Sequence, residues 1–131
     1  SDESEILKYT RQKTAIKIYD YIKGIKKPAT VIYNDAINLA SNVINNDGTI
    51  GIRIVRDNFC KELIKTFGKP IVSTSANVSG YPPPGLFSDI DILIKNGVDY
   101  VVEYRQEEKV PGEPSTVIRM NEDGTYEVLR P

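Results

Sequence analysis

The spacing of apolar residues along this chain switches repeatedly between a helical period and short β-branched runs. Such alternation is typical of an α/β fold. Helical spacing predicts helices at 11–25, 57–67 and 88–96, and a weaker one at 36–44. The short runs predict strands at 30–33, 49–55, 69–72, 98–104 and 115–120. A turn at 121–124 then returns the chain through 125–129 as an antiparallel hairpin. We therefore expect a twisted, open, mixed sheet flanked by helices.

Capping signals mark several of the predicted helix ends. Ser1 or Ser4 precedes acidic residues that suit a first helical turn, Asp57 precedes the apolar stripe of the second long helix, and Gly68 follows it. No stretch of the sequence has the composition of a linker. Since 131 residues also suit one domain, we expect a single domain over residues 1–131.

The composition excludes several kinds of active site. The chain has no histidine, which rules out Ser-His-Asp and Cys-His nucleophile systems and histidine-ligated metals within it. Its one cysteine, Cys60, rules out disulfide frameworks and lies on an apolar stripe, where we expect a structural thiol. The formal charge of −1 gives no overall attraction to nucleic acid. Without a long apolar window or a signal pattern, a cytoplasmic location and no membrane partner are expected.

The most informative segment is Ser73-Thr74-Ser75-Ala76-Asn77, which directly follows a predicted strand. Ligands of open α/β sheets bind outside the carboxyl ends of the strands, and small residues let backbone N–H groups approach an anion closely. The segment therefore suits a phosphate or a carboxylate, and it contains no titrating base. The alternative is a polar turn that satisfies itself through its serine and asparagine side chains.

Arginine and hydroxyl side chains elsewhere give weaker signals. Arg53 interrupts an otherwise apolar predicted strand. Its guanidinium either points into a cleft, where it would bind carboxylate or phosphate, or lies on the solvated face of an edge strand. The turn 112–116 presents two more hydroxyls, and Arg130 lies near the C-terminus. No carboxylate pair or glycine-rich phosphate loop has diagnostic spacing. The residues alone therefore indicate an anion-binding α/β domain.

Five sequence blocks follow one another in a specific order. They are Lys-Pro-Ala-Thr-Val-Ile at 27–32, Gly-Thr-Ile-Gly-Ile-Arg-Ile at 48–54, Lys-Pro-Ile-Val-Ser-Thr-Ser-Ala-Asn-Val-Ser-Gly at 69–80, Pro-Ser-Thr-Val-Ile at 114–118 and Leu-Arg-Pro at 129–131. In order and approximate spacing, from about residue 20 to the end, these blocks resemble the YrdC-like family of threonylcarbamoyl-AMP synthases. The resemblance implies a YrdC-like fold.

The same resemblance implies an enzyme that joins ATP, L-threonine and bicarbonate into threonylcarbamoyl-AMP and releases pyrophosphate, with Mg²⁺ accompanying the nucleotide. The product would supply downstream tRNA-modification machinery with the group found in N6-threonylcarbamoyladenosine at tRNA position 37. The implied site residues are the nucleotide-binding Ser73, Ser75, Asn77, Arg53 and Arg130 and the substrate-binding Thr30, Ser115 and Thr116. No catalytic residue and no protein metal ligand is assigned.

The chain also departs from the family pattern. The family's N-terminal Lys-x-Arg motif occurs nowhere in it, and it does not begin with methionine. We therefore expect an incomplete YrdC-like domain, a C-terminal portion with little or no synthase activity alone. One alternative is a non-catalytic module of the same fold that binds double-stranded RNA or tRNA through its mildly basic N-terminal third, although a solvated helix face explains that charge more simply. Another is a carbamoyl-transfer domain from a larger maturation enzyme.

Overall fold

The structure is a computed structural model that describes residues 3–131. The chain divides into two compact units, one formed by residues up to Ile71 together with Pro114–Pro131, the other by Val72–Glu113. Ser1, one of the two expected capping residues, lies outside the described residues, and Ser4 lies inside a short 3₁₀ helix, Glu3–Lys8, rather than before it. The single domain stays a prediction.

A four-stranded mixed sheet lies in the first unit. Its strands are β1 (Ala29–Tyr33), β2 (Ile50–Arg53), β3 (Thr116–Met120) and β4 (Tyr126–Arg130), in the spatial order β2-β1-β3-β4. Strands β1 and β3 are parallel, whereas β2 pairs with β1 and β4 pairs with β3 in antiparallel fashion. The expected open mixed sheet is therefore confirmed. Strand direction also places the starts of β1 and β3 at the same end of the sheet as the ends of β2 and β4.

The helices are short. They are α1 (Tyr19–Gly24), α2 (Asn58–Phe67) and α3 (Ile92–Asn96), with further 3₁₀ turns at Ala15–Ile18, Ser41–Val43 and Phe87–Asp89. Helix α2 begins and ends where its sequence predicts. The Asp57 carboxylate accepts a hydrogen bond of 2.9 Å from the Cys60 N–H, and Gly68 closes the helix in the left-handed conformation at φ 74°. None of the helices in the described part of the chain is long and apolar enough to cross a membrane.

One face of the sheet forms the apolar core of the first unit. Successive strand residues point to opposite faces, and in β1 the buried residues alternate with half-buried ones. Four strand residues on this face are at most 1% exposed: Val31, Tyr33, Ile118 and Met120. They form one cluster with buried residues of the 3₁₀ segments Glu3–Lys8 and Ala15–Ile18 and of α1. The opposite face, called here the second face, carries half-buried Thr30 and the residues beside it.

Two predicted strands are wrong. Residues 69–72 and 98–104 have irregular backbone, although both are apolar and β-branched. A strand needs a neighbouring strand to satisfy its N–H and C=O groups, and neither segment pairs with one in the described chain. Residues 72–113 also include no buried side chain among those described, so the second unit offers the run 98–104 no core to pack against.

Three predicted helices are shorter than expected. The helix predicted at 88–96 is a 3₁₀ turn, Phe87–Asp89, followed by α3, which begins only after its N-cap Asp91. The segment before Ala15 is irregular because the buried Gln12 side chain accepts a hydrogen bond from the Asn34 N–H at 3.0 Å and donates one to the Asn121 carbonyl at 2.8 Å. These distant contacts override the local helical spacing. In 36–44 only Ser41–Val43 turns, because Asn38 adopts a φ of 57°, which interrupts a right-handed helix.

Two turns of the same sequence pattern, Asn-x-Asp-Gly-Thr, precede the two edge strands. They span 45–49, before β2, and 121–125, before β4. In both, the aspartate accepts hydrogen bonds from the N–H and the hydroxyl of the threonine, and the asparagine amide donates to that hydroxyl at 2.9 Å. Their glycines adopt φ values of 78° and 89°, which glycine accepts without strain. Both turns lie at one end of the sheet.

Candidate functional site

Five of the expected site residues lie at the opposite end of the sheet from these turns. We call this group, made of Thr30, Arg53, Ser115, Thr116 and Arg130, the sheet corner. Thr30 is near the start of β1 and is the cross-strand partner of Arg53 at the end of β2. Thr116 starts β3, next to Ala29 of β1, and Arg130 ends β4 opposite Val117. The strand directions thus bring together residues that lie up to 100 positions apart in the sequence.

The side chains of the sheet corner are divided between the two faces. Thr30 and Arg53 are cross-strand partners and therefore share the second face, where Thr30 is half-buried and Arg53 exposed. Thr116 pairs with the buried Ala29, points to the core face and is only 5% exposed. A ligand on the second face could contact Thr30 and Arg53, whereas the Thr116 side chain faces away from it.

The two arginines of the corner differ in their contacts. Both Nε and Nη2 of Arg130 donate hydrogen bonds to the Ser115 carbonyl, at 3.0 and 2.8 Å. The Arg53 guanidinium makes no hydrogen bond or ion pair with any residue of the described chain. A free guanidinium beside a hydroxyl can bind a carboxylate or a phosphate through two parallel N–H groups. Arg53 therefore has its whole guanidinium available to an anionic ligand, whereas Arg130 has two of its five N–H donors engaged.

The polar segment after residue 72 lies in the second unit and lines an open depression of about 590 Å³. The lining consists of Thr74, Ser75, Ala76, Asn77, Ser79, Gly80, Ile94 and Val98. Ser75 and Asn77 are thus at the depression, as their predicted role requires, whereas Ser73 is exposed and does not line it. The lining combines hydroxyl and amide groups with the aliphatic side chains of Ile94 and Val98.

The side-chain amide of Asn77 has a hydrogen-bonded nitrogen and an oxygen without a partner among the described residues. Its Nδ2 donates to the carbonyls of Val78 and Tyr81, at 3.2 and 2.9 Å, which ties the turn together. Its Oδ1 is buried and accepts no hydrogen bond from any described residue. A buried acceptor without a donor is costly, and a ligand donor at this position would satisfy it. The carboxamide is therefore only partly satisfied by its own turn.

The lining of the depression does not form a metal site. Mg²⁺ in proteins is bound by one or two carboxylates together with substrate phosphates and waters, and the lining contains no carboxylate. Across residues 3–131, no cluster of three or more His, Cys, Asp or Glu side chains could hold a metal ion. The residues here therefore do not fit a protein-held magnesium ion.

Six lining residues were not among the expected site residues: Thr74, Ala76, Ser79, Gly80, Ile94 and Val98. Ser79 belongs to the same hydroxyl-rich block, so its composition could have suggested it. Ile94 lies within α3, and Val98 lies two residues beyond its end. No local signal distinguishes them from ordinary apolar positions, because their place at the depression depends on how residues 72–113 fold.

Comparison with known proteins supports the resemblance noted in the sequence. The model of the Sua5/YciO/YrdC domain family, described as "Telomere recombination", matches residues 1–131. A Methanocaldococcus jannaschii protein provisionally named threonylcarbamoyl-AMP synthase is 32% identical over 123 residues, which are 93% of this chain and 55% of that protein. No solved structure matches the chain.

Two bacterial proteins named threonylcarbamoyl-AMP synthase match shorter parts. The one from Enterobacter sp. strain 638 is 36% identical over 75 residues, 57% of this chain and 40% of that protein. The one from Dichelobacter nodosus is 39% identical over 56 residues, 43% of this chain and 30% of that protein. The chain thus spans about half the length of the archaeal relative, and its matches cover less of the bacterial ones. Because the family match extends over the whole sequence, the chain belongs to the Sua5/YciO/YrdC family.

Proposed function

We propose that this chain forms part of an L-threonylcarbamoyladenylate synthase, which converts ATP, L-threonine and bicarbonate into threonylcarbamoyl-AMP and pyrophosphate. The names of its relatives support the reaction. The structural observation that carries the proposal is the open depression lined by Ser75 and Asn77, where hydroxyl groups lie beside a buried amide oxygen that has no partner among the described residues. The hydroxyl groups of the lining suit a nucleotide, which offers hydroxyl donors as well as phosphate acceptors, and the Asn77 amide oxygen lies buried beside them.

The chemistry requires no group that titrates near neutral pH. The threonine amine and bicarbonate form a carbamate and water, with a new N–C bond. A carbamate oxygen then attacks the α-phosphorus of ATP, and the bond from that phosphorus to the bridging oxygen breaks as pyrophosphate leaves with the electron pair. The protein has to position three reactants and offset negative charge. A chain without histidine can do both with hydroxyls, amides and arginines.

The proposal gives the two groups of residues different ligands. Ser75 and Asn77, with Ser73 beside them, bind the nucleotide, and magnesium arrives with ATP as part of the substrate. Thr30 and Ser115 contact threonine, and Arg53 offers its free guanidinium to a carboxylate or a phosphate. Threonylcarbamoyl-AMP then passes to the tRNA-modification machinery, its partner in the cytoplasm.

Calorimetric titration of the chain with MgATP tests the nucleotide site. A hydrogen bond is worth about 0.5–1.5 kcal/mol, so Ser75→Ala should raise the Kd for ATP about 2- to 13-fold. Ser88→Ala is the matched control, because Ser88 is an exposed serine of the same unit that does not line the depression. Asn77→Asp should weaken binding more, because it adds a negative charge near the phosphates. Equal affinities of the wild type, Ser75→Ala and Asn77→Asp would contradict the proposal.

A further inference from the structure

The guanidinium of Arg130 is engaged by the backbone. Its Nε and Nη2 both donate to the carbonyl oxygen of Ser115. These two nitrogens form one edge of the guanidinium, and such an edge can bind a carboxylate or a phosphate through two parallel bonds. With that edge occupied, Arg130 cannot offer it to a ligand at the same time.

A β-bulge explains how Arg130 reaches this carbonyl. In the β3–β4 ladder, Ile118 pairs with Val128, but Val117 pairs with Arg130. Leu129 is therefore the extra residue, and Arg130 takes the position that Leu129 would have in a regular ladder. Bulges commonly redirect a side chain in this way. The redirected side chain extends toward Ser115, two residues before Val117.

The contact controls the segment that leads into β3. The Thr116 N–H, directly after Ser115, donates to the Pro28 carbonyl at 2.8 Å. The Ser115 carbonyl is fixed by Arg130, and the half-buried Ser115 side chain lies between these two anchors. The direction of the Ser115 hydroxyl depends on both contacts. If the peptide group between Ser115 and Thr116 rotates, the Ser115 side chain turns with it.

We propose that Arg130 is a positioning residue of the sheet corner: it holds the Ser115 carbonyl and so orients the Ser115 hydroxyl toward the amino-acid substrate. Arg53 is the corner's anion-binding arginine. The ligand in this inference, L-threonine, rests on the proposed function. The contact between Arg130 and Ser115 does not rest on it, so the contact and the proposed function can be tested separately.

Hydrogen exchange in the chain without ligand tests the contact itself. In Arg130→Gln, the Thr116 amide should exchange about tenfold faster than in the wild type, because loss of the anchor lets the start of β3 open more often. Arg53→Gln is the matched control, since Arg53 has no contact to lose, and it should leave the Thr116 rate unchanged. Equal Thr116 rates in Arg130→Gln and the wild type would overturn the inference.

A double-mutant cycle on L-threonine affinity tests the positioning role. Arg130→Gln and Ser115→Ala should each weaken L-threonine binding about 3- to 10-fold, as expected for one hydrogen bond. If Arg130 acts through Ser115, the double variant should bind no more weakly than the weaker single variant. Additive losses would overturn the positioning role, since a structural weakening or a direct ligand contact would both add to the loss of the hydroxyl.

The outcomes also separate this inference from the proposed function. A wild-type chain that binds L-threonine, together with additive losses, overturns the role of Arg130 and leaves the proposed function standing. A wild-type chain that binds neither ATP nor L-threonine, together with faster Thr116 exchange in Arg130→Gln, overturns the proposed function and with it the substrate assigned to Ser115. In Arg53→Gln, L-threonine affinity should fall and lose most of its dependence on salt, whereas Arg130→Gln should retain the wild-type dependence.

Discussion

Removal of a single buried hydroxyl should stabilise this protein. Tyr33 is fully buried in the core, and its hydroxyl has no hydrogen-bond partner among the described residues. An unsatisfied buried polar group costs about 1–3 kcal/mol, and Tyr33→Phe removes that group while keeping the ring. The free energy of unfolding should therefore rise by about 1–3 kcal/mol. For 131 residues, the unfolding entropy is about 0.28 kcal/mol/K, so each kcal/mol should raise Tm by about 4 °C.

Alkaline pH offers a second measurement on the same group. Burial, and to a smaller extent the neighbouring Tyr19, raises the pKa of Tyr33 well above its ordinary value near 10. Above pH 10 the unfolded chain ionises this tyrosine, whereas the folded chain keeps it neutral, so the wild type loses stability as the pH rises. The variant lacks this loss. At pH 10.5 the difference in free energy of unfolding between Tyr33→Phe and the wild type should be about 0.8 kcal/mol larger than at neutral pH.

Urea unfolding followed by far-UV circular dichroism measures both effects, since the chain has no tryptophan to report by fluorescence. Tyr81→Phe is the matched control, because Tyr81 is 70% exposed and its variant should stay within about 0.5 kcal/mol of the wild type. A Tyr33→Phe variant that is less stable than the wild type by more than about 0.5 kcal/mol would refute the reasoning. That result would mean that the hydroxyl has a partner, such as an internal water.

Two further predictions concern the first unit. In each Asn-x-Asp-Gly-Thr turn, hydrogen bonds from the side chain and backbone of the threonine lower the pKa of the aspartate, Asp47 or Asp123. The stability that these ionised aspartates give to the edge strands is therefore present above about pH 4. It is lost as the pH falls through their pKa values in the folded chain. The protection factors of the β4 amides against hydrogen exchange should fall in acid for the wild type but not for Asp123→Asn, and an equal fall in both would contradict this. Arg56 donates to the Ile22 and Ile25 carbonyls at the end of α1, and Arg56→Ala should lower the free energy of unfolding by about 1–2 kcal/mol in urea titrations; no change would mean that water replaces the contact.

The sequence predicts those parts of the fold whose determinants are local. Helix α2 is an example, because Asp57 and Gly68 mark its two ends whatever surrounds it. The segment before Ala15 is the contrary case. Its apolar spacing is helical, but its backbone is set by Gln12, whose partners lie 22 and 109 residues away. A residue pattern within one window contains no information about such contacts.

The same distinction applies to the candidate site. The composition of residues 73–77 predicts a polar ligand segment, and the structure places an open depression beside Ser75 and Asn77. Arg130 could be named from its block of sequence, but its contact could not. The contact depends on a bulge that shifts the register of β4 by one residue, and the residues of β4 give no sign of it. Sequence therefore identifies candidate residues more readily than it identifies what they touch.

Comparison of the two edge strands shows how one residue separates the roles of two arginines. Each edge strand follows an Asn-x-Asp-Gly-Thr turn and ends in an arginine, but Arg53 is four residues beyond Thr49 whereas Arg130 is five beyond Thr125. The additional residue in β4 is the bulged Leu129. Because a shift of one residue changes the face and direction of a strand side chain, the regular strand leaves Arg53 free beside Thr30, and the bulged strand brings Arg130 onto the Ser115 carbonyl. Two strands with the same starting turn thereby bring one free arginine and one backbone-bound arginine to one corner of the sheet.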